Sequence, residues 1–439
     1  MIEGGTEPIA AATTSLMPQA ASVSAGSPVA DPVPGLDPAA IRRDFPLLVA
    51  HPELIYLDSA ATAQKPQAVL DALLDFYTHH NANVHRGAYT LAADATLAYE
   101  AARARIARFI GARDAAEVVF TRGTTEAVNL VAGAWGPANV SAGDTIVVTE
   151  MEHHSNLVPW HLLAARTGCR LRVVPITPDG RLDLDGLDGL VDDTVKLIAV
   201  AHISNAVGTV NPVADIVAAA RRVGAKVLLD AAQSVPHRKV DVTALGVDFL
   251  AASGHKMMGP MGIGFLWARA SILAGMPPWQ GGGEMIRRVT PTDSTYADPP
   301  QRFEAGTPSV ADAVALAAAA DYLDRLGLDA CAAHDASLVA YALERLGDAP
   351  GVRIAGPLDA PSRCGSVAFT VDGVHAHDLA TLLDGDGLCV RAGHHCTMPL
   401  HARLGLAATA RASFQVYNGT GDIDALVVGI ARARGVFGV

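Results

Sequence analysis

From about Leu54 onward, short apolar runs alternate with stretches of helical periodicity. The runs predicted as strands are Glu117–Thr121, Asp144–Thr149, Arg170–Ile176, Val195–Ile203, Lys226–Asp230, Asp248–Ser253 and Gly262–Trp267. Helices are predicted between several of them at Thr125–Ala134, Asn156–Arg166 and Val213–Val223. Continuous apolar strands joined by helices are typical of a mostly parallel sheet covered on both faces. The pattern therefore predicts an α/β protein.

The pattern changes at residues 276–308, a Pro/Gly-rich stretch that includes Gly281-Gly282-Gly283. A loop of that length inside a compact protein is usually functional. Beyond it, the predicted helices are Ala311–Leu326, Asp335–Leu346 and one that starts near Ile423, and the predicted strands are Ser366–Val371 and Leu388–Arg391. We predict a larger domain at residues 55–300 and a smaller α+β domain from residues 37–54 and 301–439.

Composition excludes several classes of partner. Hydrophobic residues make up 50% of the 439 residues, and the formal net charge is −12. Surfaces that bind nucleic acid or anionic membranes need excess Lys and Arg, so neither partner is expected. The sequence has no run of about 20 apolar residues, so no membrane-spanning helix is predicted. Residues 1–36 are rich in Ala, Ser, Thr, Pro and Gly, lack the basic start of a secretory signal, and are predicted to form a disordered extension.

Cysteine usage favours a reducing, cytoplasmic setting. The five cysteines are Cys169, Cys331, Cys364, Cys389 and Cys396. They are odd in number and scattered, without a C-x-x-C pair, so a disulfide framework is not expected.

Polar clusters follow five of the predicted strands. They are Arg122–Glu126, Glu152–Asn156, His202–Asn205, Asp230–Gln233 and Ser253–Lys256. Ligands of open parallel sheets bind outside the carboxyl ends of the strands. We therefore expect these clusters to form one site.

Two ionisable residues at strand ends are candidates for cofactor chemistry. A desolvated Lys256 would have a lowered pKa and could react with an aldehyde; the alternative is a surface lysine at a strand end. Asp230 ends the strand Lys-Val-Leu-Leu-Asp, directly after three apolar residues, and needs a cation, such as a protonated pyridine nitrogen, unless it is an ordinary helix cap. Thr124 and Thr125 lie at a strand-to-helix turn, where hydroxyls and backbone N–H groups can bind phosphate.

The remaining candidates are two histidine pairs, a cysteine and an arginine. His153 could stack on a planar cofactor. The adjacent pairs His153-His154 and His394-His395 lack the spacing of a helical metal site, and no metal is predicted. Cys396 lies on a loop beside imidazoles and Arg391, which suits a nucleophilic thiol. Arg411 lies within an apolar stretch and suits a carboxylate.

Eight segments carry a resemblance to a known family. They are Tyr-Leu-Asp-Ser-Ala-Ala (56–61), Val-His-Arg-Gly (84–87), Arg-Gly-Thr-Thr-Glu (122–126), Met-Glu-His-His-Ser-Asn (151–156), Asp-Ala-Ala-Gln (230–233), Ser-Gly-His-Lys (253–256), Arg-Phe-Glu-Ala-Gly-Thr-Pro (302–308) and Arg-Ala-Gly-His-His-Cys (391–396). Over about residues 37–439 the chain resembles the group II, Suf-type cysteine desulfurases, pyridoxal-phosphate-dependent enzymes of the class-V aminotransferase family.

The resemblance implies the aspartate-aminotransferase-like fold (fold type I of pyridoxal-phosphate enzymes), and a homodimer with two sites at the interface. It implies cofactor-binding roles for Lys256, Asp230, Gln233, His153, Thr124, Thr125, Ser253, His255 and Asn205, with Thr307 contributed by the other subunit. It implies substrate-binding roles for Arg411, Arg391, Asn205 and Arg86, and catalytic roles for Cys396, Lys256 and His153.

The implied reaction converts L-cysteine to L-alanine. Lys256 would move the Cα proton, and Cys396 would attack the substrate sulfur and keep it as a persulfide. The persulfide would pass to a sulfur-acceptor protein for iron–sulfur cluster assembly. His377, in the stretch His375-Ala-His377-Asp378, resembles the residue of family members whose acceptor carries zinc, or it is an ordinary exposed loop histidine.

Three kinds of alternative remain open. Selenocysteine lyase and cysteine-sulfinate desulfinase share this fold and depend less on Cys396. Kynureninase-like cleavage and aminotransfer do not need a mobile thiol. A non-catalytic binding protein with the same fold would be expected to lack Lys256, Asp230 or Cys396, all of which are present.

Overall fold

The computed structural model describes residues 35–439, and the segment predicted as a disordered extension lies outside them except for its last two residues. The strands are β1 Ile55–Tyr56, β2 Val118–Thr121, β3 Thr145–Thr149, β4 Arg170–Val174, β5 Val195–Ala201, β6 Lys226–Asp230, β7 Phe249–Ser253, β8 Gly264–Ala268, β9 Ile286–Val289, β10 Ser294–Tyr296, β11 Val352–Ala355, β12 Ser366–Val371, β13 Leu388–Cys389, β14 Arg391–Gly393 and β15 Thr409–Ser413.

The helices include the three predicted between the strands of the first half. They are α1 Pro38–Arg42, α2 Pro46–Ala50, α3 Gln67–Asp75, α4 Thr90–Phe109, α5 Thr124–Leu130, α6 Gly136–Asn139, α7 Val158–Thr167, α8 Leu187–Leu190, α9 Val213–Val223, α10 Val242–Leu245, α11 Ala270–Gly275, α12 Val310–Leu326, α13 Leu328–Gly347, α14 Ala376–Asp384, α15 Met398–Arg403 and α16 Thr420–Phe437. No helix within residues 35–439 is long and apolar enough to cross a membrane.

The larger sheet has seven strands in the order β2-β8-β7-β6-β5-β3-β4. Neighbouring strands are parallel except around β8, which runs antiparallel to both β2 and β7. Strands β2, β3, β7 and β8 are buried along their whole length, as expected when helices cover both faces. All seven predicted strands are present, and the predicted α/β fold class is confirmed.

The parallel strands bring their polar ends to one edge of this sheet. Asp230 is the last residue of β6 and lies opposite Ala201 of β5 and Ala251 of β7. Ser253 ends β7, and a single 3-10 turn then carries the chain to Lys256.

The second half of the chain forms a four-stranded antiparallel sheet in the order β11-β12-β15-β14. Its apolar face packs with α13, α14 and α16 in a separate core that includes Phe369, Leu383 and Ile423. Strands β14 and β15 are paired so that Arg391 lies opposite Arg411. This register places two guanidinium groups on adjacent strands at the edge that faces the larger sheet.

Segments near the N-terminal end of the described chain contact both halves. Strand β1 pairs in parallel with β13, and Asp58 forms a β-bridge with Ser413. Helix α12 packs against α3 and α4, so its apolar face belongs to the core of the larger sheet. The domain bounds 55–300, 37–54 and 301–439 stay predictions.

Several elements differ from the sequence prediction. Helix α13 begins at Leu328, seven residues before the predicted start, because Gly327 with φ of 81° separates it directly from α12. The stretch 276–308 contains the antiparallel hairpin of β9 and β10. The elements that were not predicted include the 20-residue helix α4, helices α3 and α14, and strands β11 and β15. The predicted strand Leu388–Arg391 is divided between β13, which pairs with β1, and β14 of the four-stranded sheet.

Candidate active site

A cavity of about 180 Å³ lies between the polar edge of the larger sheet and the β14–β15 pair. The predicted site residues that line it are Thr124, Thr125, His153, Asn205, Asp230, Gln233, Ser253, His255, Lys256, Arg391, Cys396 and Arg411. Members of all five polar clusters are among them. The prediction that these clusters form one site is therefore confirmed in the geometry.

Lys256 and Asp230 face the same cavity. Burial lowers the pKa of the Lys256 amine to about 8, and the nearby Asp230 carboxylate opposes that shift. Burial likewise raises the pKa of Asp230, while the Lys256 ammonium and a hydrogen bond from the Ala232 backbone N–H, at 3.0 Å, lower it. The result is an amine that can lose its proton near neutrality, as an aldehyde-binding lysine requires.

The turn between β2 and α5 is packed tightly against the end of β7. The Thr124 N–H donates to Ser253 Oγ at 2.9 Å, and the two hydroxyl oxygens are 2.8 Å apart. Gly123 has a φ of 148°, and a Cβ on Gly264 would lie 2.6 Å from the Gly123 Cα. The two glycines therefore allow the close approach that gathers hydroxyl and N–H groups in one place.

His153 is a neutral imidazole with a defined tautomer. Burial, followed by the charge of Lys256, lowers its pKa to about 3. The Ser155 backbone N–H donates to His153 Nδ1 at 3.1 Å, so Nδ1 is the acceptor and the proton lies on Nε2.

Glu152 is a buried residue whose importance the sequence reasoning missed. Its Oε1 accepts from the Thr149 hydroxyl at 2.6 Å and the Ala201 N–H at 3.0 Å, and its Oε2 accepts from the Asn156 amide at 2.6 Å. Burial nevertheless raises its pKa to about 8. These bonds fix the turn that carries His153. The available signal was an acidic residue three positions after the end of an apolar strand.

Arg411 is 1% exposed and is held at two of its three nitrogens. Nη1 donates to the Asn205 carbonyl at 2.6 Å, and Nη2 donates to Asp58 Oδ1 at 2.8 Å. Nε has no hydrogen-bond partner within residues 35–439. A buried, unpaired N–H at this position suits an incoming carboxylate. Asp58 lies in a segment that carried the family resemblance, but no role had been predicted for it.

The loop that carries Cys396 is held in an unusual backbone conformation. His395 and Cys396 have φ values of 50° and 59°, in the left-handed region. Such non-glycine residues persist only where the surroundings fix them. Here the Asn205 amide donates to the His395 carbonyl at 2.6 Å, and the His154 N–H donates to the Cys396 carbonyl at 2.9 Å. The Met398 N–H donates to His154 Nε2 at 3.2 Å.

Two predicted site residues do not line this cavity. Thr307 lines a separate cavity of about 420 Å³ together with Arg122 and Trp279. The Arg86 side chain is exposed, and its Nε lies 3.4 Å from a carboxylate oxygen of Glu284. The roles of Thr307 and Arg86 stay predictions.

Comparison of the chain with known families and proteins agrees with the geometry. The Aminotransferase class-V family matches residues 55–426. The chain belongs to this family. A probable cysteine desulfurase of Streptomyces coelicolor is 50% identical over 415 residues, which are 92% of this chain and 99% of that protein. Probable cysteine desulfurase 2 of Mycobacterium leprae is 53% identical over 412 residues, 92% and 98% of the two chains.

Solved structures with the same fold include two cysteine desulfurases. The enzyme CsdA of Escherichia coli has a TM-score of 0.84 and 39% identity, covering 91% of this chain and 99% of that one. The apo enzyme of Thermococcus onnurineus NA1 has a TM-score of 0.86 and 39% identity, covering 91% and 98%.

Proposed function

We propose that the protein is a pyridoxal-phosphate-dependent cysteine desulfurase that converts L-cysteine to L-alanine. The observation that carries this proposal is the single cavity shared by the Lys256 amine, the Asp230 carboxylate and the Cys396 loop. The relatives and solved structures of that name, which match most of the chain, support it.

The residues around the cavity fit pyridoxal phosphate, which the family implies. Lys256 offers a partly neutral amine for the aldehyde, and Asp230 offers a buried carboxylate for the pyridine nitrogen. The hydroxyls gathered at the Thr124–Ser253 contact suit the phosphate. Gln233 donates to the Ala60 carbonyl at 2.8 Å, and we assign its amide to the ring hydroxyl. When bound, the cofactor acts as an electron sink for the substrate Cα.

Each remaining group has a role that follows from its surroundings. The free Nε–H of Arg411 binds the substrate carboxylate, with Arg391 alongside. Lys256 moves the Cα proton. The Cys396 sulfur attacks the substrate sulfur, so that an S–S bond forms as the Cβ–S bond breaks. Proton transfer to Cβ then completes L-alanine, and Cys396 keeps the sulfur as a persulfide. Atoms balance because L-cysteine and one thiol give L-alanine and one persulfide.

The finer assignment is to the group II, Suf-type desulfurases, which act as homodimers. The location of Thr307 outside the cavity of its own chain supports a contribution to the partner subunit's site.

We infer that a sulfur-acceptor protein takes the persulfide for iron–sulfur cluster assembly, and that exposed His377 contacts a zinc-bearing acceptor. All five cysteines are free thiols, which supports a reducing, cytoplasmic setting.

The test is an ultraviolet–visible spectrum of the purified holoenzyme before and after L-cysteine, with alanine assayed in the same sample. A cofactor band that changes on adding cysteine, with alanine released by wild type and not by Cys396→Ser, is the expected result. Alanine from selenocysteine or cysteine sulfinate but not from cysteine would replace the proposal with a lyase or desulfinase. A protein that cannot be reconstituted with pyridoxal phosphate would overturn it.

A further inference from the structure

Two buried histidines meet at one threonine hydroxyl behind the Cys396 loop. His395 Nε2 lies 2.8 Å from Thr409 Oγ1, and His401 Nε2 lies 3.1 Å from the same oxygen. All three residues are at most 4% exposed. Because the hydroxyl has a single proton, it can donate to only one of the two imidazoles and must accept from the other.

The direction of these bonds is decided at His401. Its Nδ1 lies 3.1 Å from the Thr397 carbonyl oxygen, which can only accept, so the proton of His401 is on Nδ1. The Thr397 hydroxyl already donates to the His394 carbonyl at 2.8 Å and can also only accept from His401. Burial lowers the pKa of His401, which keeps the ring neutral. Its Nε2 is therefore a lone pair that needs the Thr409 proton.

The tautomer of His395 follows from that assignment. Since the Thr409 proton points to His401, the Thr409 oxygen must accept from His395 Nε2–H. Burial lowers the pKa of His395 to about 2, so this ring is also neutral and its Nδ1 carries a lone pair. That Nδ1 has no hydrogen-bond partner within residues 35–439. His395 thus has one tautomer that satisfies the buried contacts and one that sets two lone pairs against each other.

The same strand ties this chain of hydrogen bonds to the substrate site. Thr409 and Arg411 are two residues apart in β15, so their side chains project from the same face. Gly393 of β14 lies opposite Thr409, and the strained residues His395 and Cys396 follow it two and three positions later. If the hydrogen bond between Thr409 and His395 shifted, the Cys396 backbone would therefore move relative to Arg411.

We propose that Thr409 and His401 are positioning residues, which lock His395 as its Nε2–H tautomer and thereby hold the strained Cys396 loop in its reactive position. The effect on catalysis rests on the proposed desulfurase function, whereas the tautomer does not. Nothing in the chain of bonds requires substrate, so the lock is present in the resting holoenzyme.

The test is a long-range ¹H–¹⁵N correlation spectrum of ¹⁵N-histidine-labelled holoenzyme without substrate. The His395 signals are those missing from His395→Gln. We expect the His395 proton on Nε2 in wild type and in Thr409→Ser, which keeps the hydroxyl. In His401→Phe the Thr409 proton is released and can point to His395, so both tautomers become possible and we expect part of the His395 population to carry its proton on Nδ1. Thr409→Val removes the hydroxyl at similar volume. If that variant fails to fold, His401→Phe still tests the proposal.

Turnover supplies the second readout. We expect Thr409→Val to lower kcat by about tenfold to a hundredfold, because small displacements of reacting groups have effects of that size. KM for L-cysteine should change much less, since Arg411 keeps its own partners, and Thr409→Ser should restore kcat. A wild-type His395 proton on Nδ1, an unchanged His395 tautomer in His401→Phe, or an unchanged kcat in Thr409→Val would overturn the proposal. If the wild type releases no alanine, the proposed function fails, while the spectrum still decides the tautomer.

Discussion

Arg411 Nη2 donates to Asp58 Oδ1 at 2.8 Å, and this bond joins the smaller sheet to the segment that leaves β1. The guanidinium is almost completely buried, whereas the Asp58 side chain is 24% exposed. Burial lowers the pKa of Arg411, and Asp58 is the main group that opposes this shift. Asp58 therefore compensates a buried charge and also leaves the Nε–H of Arg411 free for another carboxylate.

Removing the Asp58 carboxylate should destabilise the protein. Asp58→Ala leaves the Arg411 charge buried without its acidic partner, a change that typically costs about 3–5 kcal/mol. We expect a lower midpoint of urea unfolding, with a smaller loss for Asp58→Asn because the amide oxygen still accepts a hydrogen bond. Equal midpoints for Asp58→Ala and wild type would show that Arg411 does not depend on this partner.

Incorporation of pyridoxal phosphate into the apo protein should depend on the protonation of Lys256. Its pKa is about 8, and only the neutral amine attacks the aldehyde, so the rate should rise with pH through that value and level off above it. Asp230 raises the pKa of Lys256, so Asp230→Asn should shift the midpoint to lower pH. Stopped-flow absorbance measures the rate. The exposed Lys239→Ala is the control, and a midpoint that moves upward in Asp230→Asn would contradict the assignment.

The segment that leads to Thr307 should depend on a buried ion pair. Glu304 accepts from Arg103 Nη1 at 2.6 Å, from the Phe120 N–H at 2.6 Å and from the Tyr99 hydroxyl at 2.9 Å. The side chains of Arg103 and Glu304 are 1% and 7% exposed. We expect Glu304→Ala to lower the unfolding free energy by about 3–5 kcal/mol, since it leaves Arg103 buried without its main partner.

The control for that variant is Glu100→Ala. Glu100 also binds Arg103, at 2.9 Å, but its side chain is 37% exposed, so its loss should have a much smaller effect. Thermal unfolding monitored by circular dichroism compares the two. If Glu100→Ala were less stable than Glu304→Ala, Glu304 would not be the main partner of Arg103.

His377 should affect only turnover that is stimulated by an acceptor protein. It is exposed on the first turn of α14, where the His375 ring lies parallel to it with the ring centroids 6.3 Å apart. We expect His377→Ala to leave basal alanine release unchanged and to weaken stimulation by a zinc-bearing acceptor. The exposed His161→Ala on α7 is the matched control. Unchanged stimulation in His377→Ala would exclude the proposed contact.

The local sequence determined the larger sheet, because the pattern that predicts each of its strands lies within a few consecutive residues. Continuous apolar runs, each ending in a polar cluster, predict buried parallel strands whose ends share an edge. Asp230 and Ser253 are therefore found where their strands end. Candidate cofactor-binding residues such as Lys256 could be selected from residue type and position alone. The local surroundings of Cys396 and Arg411 also marked them as candidates, and the resemblance then added Thr307 and Arg86 and gave each residue a role.

Only the tertiary structure decided which distant residues contact each other. The Asp58–Arg411 bond joins residues 353 positions apart, and the Glu304–Arg103 pair joins residues 201 positions apart. Neither contact leaves a periodic pattern in the sequence, because each depends on how separate elements pack. The same is true of the left-handed backbone at His395 and Cys396 and of the single proton of Thr409. Sequence determined the chemical groups of this site, and packing determined their partners, protonation and tautomers.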